Sequence, residues 1–168
     1  MNLVVLVDKN WAIGKDGNQL VYIKQDLARF RELTGDNIIV YGRKTLETFP
    51  GAKVLPGREN WVLTRNVDLE VPNARMFNDI EELKLAIVEA EASGKTVTCI
   101  GGGTVYEQLL PLAQTAYVTK MDRTWEGADV FFPNLDESPK WYVAETSEAF
   151  TAGKKRPFEF KFIDYKRV

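Results

Sequence analysis

Asp26 is the acid in this chain whose surroundings make its charge chemically interesting. Residues three and four apart share a helix face, so its carboxylate projects near Phe30 and close to Leu27. A carboxylate beside apolar groups is costly unless something pairs with it. Two readings follow. Asp26 is either a first-turn residue stabilised by the helix dipole, or a buried acid that hydrogen-bonds a cationic or amidine-like ligand and assists protonation. The chain contains no histidine at all, which removes imidazole acid/base chemistry, His-activated nucleophiles and His metal sites, and so adds weight to the second. No metal ligand set is expected.

A second group of residues has the character of an anion cradle. Gly101-Gly102-Gly103 follows an apolar run and precedes Thr104-Val105-Tyr106, so three glycines form a strand-to-helix turn whose backbone amides can approach a phosphate at a helix N-terminus. The pattern is neither G-x-G-x-x-G nor the lysine-bearing mononucleotide loop. Gly42-Arg43-Lys44-Thr45 and Leu63-Thr64-Arg65 each place cations and hydroxyls directly after a strand, as phosphates spread along a dinucleotide require. Arg58 sits on the Pro-Gly turn Leu55-Pro56-Gly57-Arg58, either as an exposed cation or as a fork aimed at a ligand carboxylate. The single Cys99 lies within Thr96-Val97-Thr98-Cys99-Ile100 and reads as a core residue rather than a nucleophile.

The elements that must carry these residues are legible from periodicity. Strands are expected at Leu3–Val7, Asn37–Val40, Trp61–Leu63, Thr96–Ile100 and Thr115–Met121. Between them fall helical patterns. One places Ile23, Leu27, Phe30 and Leu33 on one side; a second starts at Asn78 or Asp79 with a capping box completed by Glu81 or Glu82 and stops at Gly94; a third runs from about Thr104 to Leu110, ended by Pro111. Trp141–Thr146 and Phe158–Tyr165 alternate with no helix between them and should pair as an antiparallel hairpin. The fold class is therefore α/β, with a mixed, mostly parallel central sheet, flanking helices and a C-terminal antiparallel hairpin. Ligands in such folds bind at the carboxyl ends of the strands.

One domain over residues 1–168 is expected from the length and from the absence of repeats or linkers. A net charge of −2 argues against a nucleic-acid surface, and the N-terminal apolar run is too short for a membrane span or signal. A cytoplasmic monomer is the expectation.

Together the motifs resemble dihydrofolate reductase nearly end to end. They run in the family's order: Ala12-Ile13-Gly14-Lys15-Asp16-Gly17-Asn18, Asp26-Leu27-x-x-Phe30-Arg31, Tyr41-Gly42-Arg43-Lys44-Thr45-x-Glu47-x-Phe49-Pro50, Leu55-Pro56-Gly57-Arg58, Ile100-Gly101-Gly102-Gly103-x-Val105-Tyr106, Thr119, and Gly127-Ala128-Asp129-Val130-Phe131-Phe132-Pro133. The resemblance implies that NADPH delivers a hydride to C6 of dihydrofolate while N5 gains a proton, giving tetrahydrofolate. By the same resemblance Asp26 binds the pterin edge and promotes protonation, Thr119 supports Asp26, and Leu27, Phe30, Phe49 and Leu55, with Val4 and Ile100, wall the substrate. Arg58 takes the glutamate tail. Val5, Leu6 and Ile13 match contacts on the nicotinamide side. Gly101, Gly102, Gly103, Thr104, Val105 and Tyr106 match the pyrophosphate turn, with a cis peptide between the first two glycines. Gly42, Arg43, Lys44, Thr45, Leu63, Thr64 and Arg65 match the adenosine-phosphate cluster, which favours NADPH over NADH.

Two departures from the family pattern touch the pocket that takes diaminopyrimidine antifolates. The usual Leu-Pro-Trp is missing; Val21, or Tyr22 if the loop slides by one residue, stands at the tryptophan. Leu6 stands where many relatives have alanine. An unusual response to such inhibitors is expected. The alternatives are a related reductase of another pterin or of a pyrimidine, and a ligand-binding protein without turnover; Asp26, Phe30 and Arg58 together favour a substrate with an acidic tail.

Overall fold

Burial alternates strictly along Asn2–Val7, with Leu3, Val5 and Val7 inward and the even positions half-buried, as a strand packed more tightly on one face requires. The computed structural model describes residues 1–168. Along the chain run β1 (Asn2–Val7), β2 (Ala12–Lys15), β3 (Asn18–Gln19), α1 (Lys24–Thr34), β4 (Ile38–Gly42), α2 (Arg43–Leu46), β5 (Glu59–Leu63), β6 (Ala74–Phe77), α3 (Ile80–Ala92), β7 (Val97–Gly101), α4 (Gly103–Leu109), β8 (Thr115–Met121), β9 (Val130–Phe131), β10 (Trp141–Thr146), β11 (Phe150–Ala152) and β12 (Phe158–Arg167).

The main sheet has the order β10-β12-β8-β1-β7-β4-β5-β6, and β11 adds to β12. From β6 to β8 every pair is parallel, and β12 turns the sheet antiparallel. The expected C-terminal antiparallel pair forms, but β12 lies inside β10 and pairs with both β8 and β10. Short strands β2, β3 and β9 build a second, three-stranded sheet.

Helix ends follow the sequence signals. At the start of α3 the Asp79 carboxylate accepts from the Glu81 N–H, and at its end Gly94 turns left-handed while the Gly94 and Lys95 amides donate to the Glu91 and Ala90 carbonyls. Helix α1 has no side-chain cap; Ile23 precedes it with a buried side chain that anchors its start instead.

The two sheet faces differ. On one, Leu3, Val5, Ile38, Val40, Trp61, Val97, Cys99 and Val118 pack with α3 and α4 into one continuous core. Cys99 belongs to it, and burial pushes its thiol up to about 12, so it is inert as a nucleophile. On the other face the apolar residues divide. Ile39, Tyr41, Leu46, Val62 and Ile100 form one cluster; Ile23, Met121, Phe158 and Phe160 form another. The half-buried Phe30, Phe49 and Leu55 edge the first, and Leu6, Leu20 and Val21 the second. Helix α1 runs over this divided face, which is why its apolar stripe stays partly open and Leu27 is 39% exposed.

Candidate active site

Asp26 lies in the first turn of α1 above β8. Its Oδ1 accepts a hydrogen bond of 2.6 Å from the hydroxyl of Thr119, which is buried mid-strand between Leu6 of β1 and Phe162 of β12. Burial raises the Asp26 pKa above its ordinary value, against the lowering effects of the Thr119 hydrogen bond and the Arg29 guanidinium. An acid of this kind holds its proton to higher pH than a surface aspartate and can share it with a basic ring nitrogen or a water.

The apolar walls expected around a substrate come together on this face. Phe30, Phe49 and Leu55 pack against the cluster that contains Ile100, and the Phe49 ring meets Tyr41 edge-on at 5.1 Å. Arg58 stands at the far end of α1. Its Nε donates to Thr34 Oγ1 at 2.9 Å, its Nη1 donates to the Pro56 carbonyl, and its guanidinium lies 5.8 Å from the Phe30 ring centroid. Partial burial and the neighbouring Arg31 lower its pKa, so an anion is welcome there. Asn60, which no motif flagged, fixes this turn. Fully buried on β5, it accepts from the Leu55 N–H and the Tyr41 hydroxyl and donates to the Leu55 and Arg58 carbonyls. Only the short span from Leu55 to Asn60 hinted at it.

Between β1 and β7 the sheet splits. Their pairing ends at Leu3 and Cys99, whereas β1 stays paired with β8 as far as Val7. The Val4 carbonyl, which a continued ladder would use, accepts instead from the Tyr106 hydroxyl at 2.6 Å. Peptide groups two residues apart point to the same edge, so those of Leu6 face into the slot. Val4 and Leu6 share the cleft side. Val5 does not: its side chain is buried in the opposite core, and its peptide groups point to the other edge, toward β8. Tyr106 is likewise buried, with its ring against Gly101 and Phe132, so it shapes the slot from within.

The glycine turn lies directly above this split, and its first peptide, Gly101-Gly102, is cis. A Cβ on Gly102 would sit 3.5 Å from Thr45 Oγ1, and one on Gly103 would sit 2.6 Å from Val130 Cγ1 and 3.9 Å from Ile13 Cδ1. The turn thus touches α2 on one side and the small β2/β9 sheet on the other. Gly42 packs against Val105 within the same junction. Adjacent strand ends pair Gly42 with Leu63, which sets Arg43-Lys44-Thr45 beside Thr64-Arg65. Lys44 and Arg65 are exposed, Arg43 is paired with Glu47 one turn on, and the buried Thr64 hydroxyl accepts from the Asn66 N–H.

Asp8, another buried polar residue outside the expected set, ties this end of the molecule together. Its carboxylate accepts from the Asn10 and Ala12 N–H groups on one oxygen and from the Trp125 N–H on the other. In the altered loop before α1, Val21 faces inward against the second cluster and Tyr22 is 57% exposed, so Val21 is the residue that closes this side. Leu6 packs into the same cluster, which accommodates its bulk.

Comparison with known proteins gives a consistent result. The family model described as "Dihydrofolate reductase" matches residues 1–167. A dihydrofolate reductase of Bacillus subtilis is 30% identical over 167 residues, covering 99% of this chain and 94% of that one. One of Mycobacterium leprae is 37% identical over 139 residues, covering 81% and 80%. Among solved structures, dihydrofolate reductase from Enterococcus faecalis complexed with NADP(H) and RAB-propyl superimposes with a TM-score of 0.81 at 31% identity, covering 99% of this chain and 95% of that one.

Proposed function

The chain belongs to the dihydrofolate reductase family, and from that premise we propose how its own residues carry out the NADPH-dependent reduction of dihydrofolate to tetrahydrofolate. The observation that carries the reading is the Asp26–Thr119 hydrogen bond at the floor of an apolar cleft that adjoins a glycine turn.

In this reading the pterin lies between the two apolar clusters, with its amidine-like edge on Asp26. Thr119 holds the carboxylate in place, and burial keeps a proton available near N5 at a pH where a surface aspartate would have lost it. Leu27, Phe30, Phe49, Leu55, Val4 and Ile100 exclude water from the ring and the benzoyl group. Arg58, pre-positioned by Thr34 and Asn60, receives the tail carboxylate as a charge-assisted fork.

The cradle fits a dinucleotide. No side chain could replace Gly103 without meeting Val130, and the turn adjoins the same junction as Thr45 and the cations after β4 and β5. Gly101, Gly102, Gly103, Thr104 and Thr45 would hold the pyrophosphate, and Lys44, Thr64 and Arg65 the 2′-phosphate, with Arg43 joining once it releases Glu47. Leu6 and Ile13 would contact the nicotinamide in the split beside β1. NADPH, when bound, supplies the hydride.

We read the chain as a single-domain cytoplasmic monomer with no nucleic-acid partner. No helix is long and apolar enough to cross a membrane. The test is direct. Purified protein should oxidise NADPH only in the presence of dihydrofolate, and Asp26→Asn should lose most of the rate near neutral pH while both ligands still bind. Binding of both ligands by the wild type without NADPH oxidation would overturn the reading.

A further inference from the structure

Arg29 follows Asp26 by three residues and therefore shares its face of α1. Its guanidinium donates to Asp164 Oδ1 of β12 at 2.7 Å, and both side chains are 20% exposed. Beneath it lie the rings of Phe162, 4.6 Å from the guanidinium carbon, and Tyr117 at 5.6 Å. The sheet register makes this more than a surface ion pair. Thr119, which holds Asp26, is the partner of Phe162, and Tyr117 is the partner of Asp164. Acid and cation thus stand side by side on one platform of four residues, Asp26 held by Thr119 and Arg29 by Asp164, Phe162 and Tyr117.

We infer that Arg29, tethered by Asp164, is an electrostatic positioning residue for Asp26, and that this ion pair sets the pH range over which the acid keeps its proton. The inference rests on the reading of Asp26 as the proton-handling group. It concerns a cation, a counter-ion and two rings that none of the motifs includes.

The charges around Asp26 are few. From β8 it meets the unionised Thr119, with Tyr117 lying under Arg29; from β12 come Asp164 and the Phe162 ring; from β1, the apolar Val4 and Leu6. From α4 comes Tyr106, whose phenol burial keeps neutral and whose proton is given to the Val4 carbonyl. On α1 itself Arg29 is the cation whose charge acts on the carboxylate. Asp164 offsets part of that charge and also draws the guanidinium away from Asp26, where it would favour the ionised carboxylate more strongly. Stacking on Phe162 fixes the separation, so the influence is graded.

This arrangement predicts opposite effects from its two halves. Arg29→Met keeps an unbranched stem over Phe162 and removes the cation, so the apparent pKa of Asp26 should rise by about 0.5–1. Asp164→Asn leaves Arg29 without its counter-charge, so the pKa should fall by a similar amount. Arg29→Lys should restore most of the wild-type value. A residue that merely braced the helix would move both variants the same way. Two readouts on the full-length protein separate the possibilities: carbon-13 NMR titration of the Asp26 carboxyl, which needs no turnover, and the pH profile of hydride transfer under single-turnover conditions. Opposed shifts in both readouts support the inference. A carboxyl titration unmoved in folded Arg29→Met and Asp164→Asn overturns it. Opposed carboxyl shifts beside an unmoved kinetic profile overturn the assignment of Asp26 as the proton-handling group, and with it the kinetic half of the inference.

Discussion

Replacing Thr119 with valine isolates one hydrogen bond in this site. The side chain is 3% exposed and packed between Leu6 and Phe162, and valine matches its shape, so the packing survives while the 2.6 Å bond to Asp26 is lost. Hydrogen bonds to charged groups contribute about 1.5–3 kcal/mol, and those between neutral groups about 1. The difference, which is what titration reads, is about 0.5–2 kcal/mol and corresponds to a rise of roughly 0.4–1.5 in the Asp26 pKa. The sign follows from linkage. Asp26 already titrates above its ordinary value of 3.8 in the folded protein, so the folded state binds the proton more tightly than the unfolded chain does, and stability falls as pH rises through that window. Thr119→Val extends the window upward. Its destabilisation should therefore be about 1 kcal/mol near pH 3.5 and grow to about 1.5–3 kcal/mol by pH 8, measured by urea unfolding at each pH. In single-turnover assays the fall of hydride transfer with rising pH should move to higher pH by the same amount. A destabilisation independent of pH, or a profile displaced downward, would refute the account of how this acid is held.

Other variants test the remaining parts. Arg58→Gln should raise KM for dihydrofolate about tenfold to a hundredfold with little change in kcat, and a reduced pterin lacking the glutamate tail should show no such loss. Lys44→Ala with Arg65→Ala should lower the NADPH-to-NADH ratio of kcat/KM by about tenfold or more, mainly through KM for NADPH. Gly103→Ala drives a methyl group against Val130 on the short, exposed strand β9, at a cost of about 1–3 kcal/mol. NADPH affinity, measured by fluorescence titration, should fall, and a second change, Val130→Ala, should recover most of it.

Much of the architecture could be read in the chain because the relevant signals are local. Strands β1, β4, β5, β7 and β8 each centre on a short apolar or β-branched run that a sheet covered on both faces can bury, and α3 carries its own start and stop in Asp79 and Gly94. The elements that escaped notice, β2, β3, β6, β9 and β11, are four residues or fewer. Each becomes a strand through its partner rather than through its own pattern, although the alternation in Ala74–Phe77 offered a faint signal. The stripe on α1 was visible too, but periodicity cannot tell a buried face from one that borders a cleft. Leu27 is half open because the sheet beneath it carries two separate clusters.

The division at the site has the same cause. By itself the sequence determined which residue types were present: one well-placed acid without histidine, a glycine turn after a strand, and cations after its neighbours, because each depends on a few contiguous residues. Tertiary structure decided which of them meet. It brought Thr119 to Asp26 across 93 positions, Asp164 to Arg29 across 135, and the Tyr106 hydroxyl to the Val4 carbonyl across 102. It also turned Val5 away from the cleft that Val4 and Leu6 share. Hydrogen bonds and ion pairs act over a few ångströms of space, and in a sheet whose neighbours come from distant parts of the chain, strand order and register set those distances.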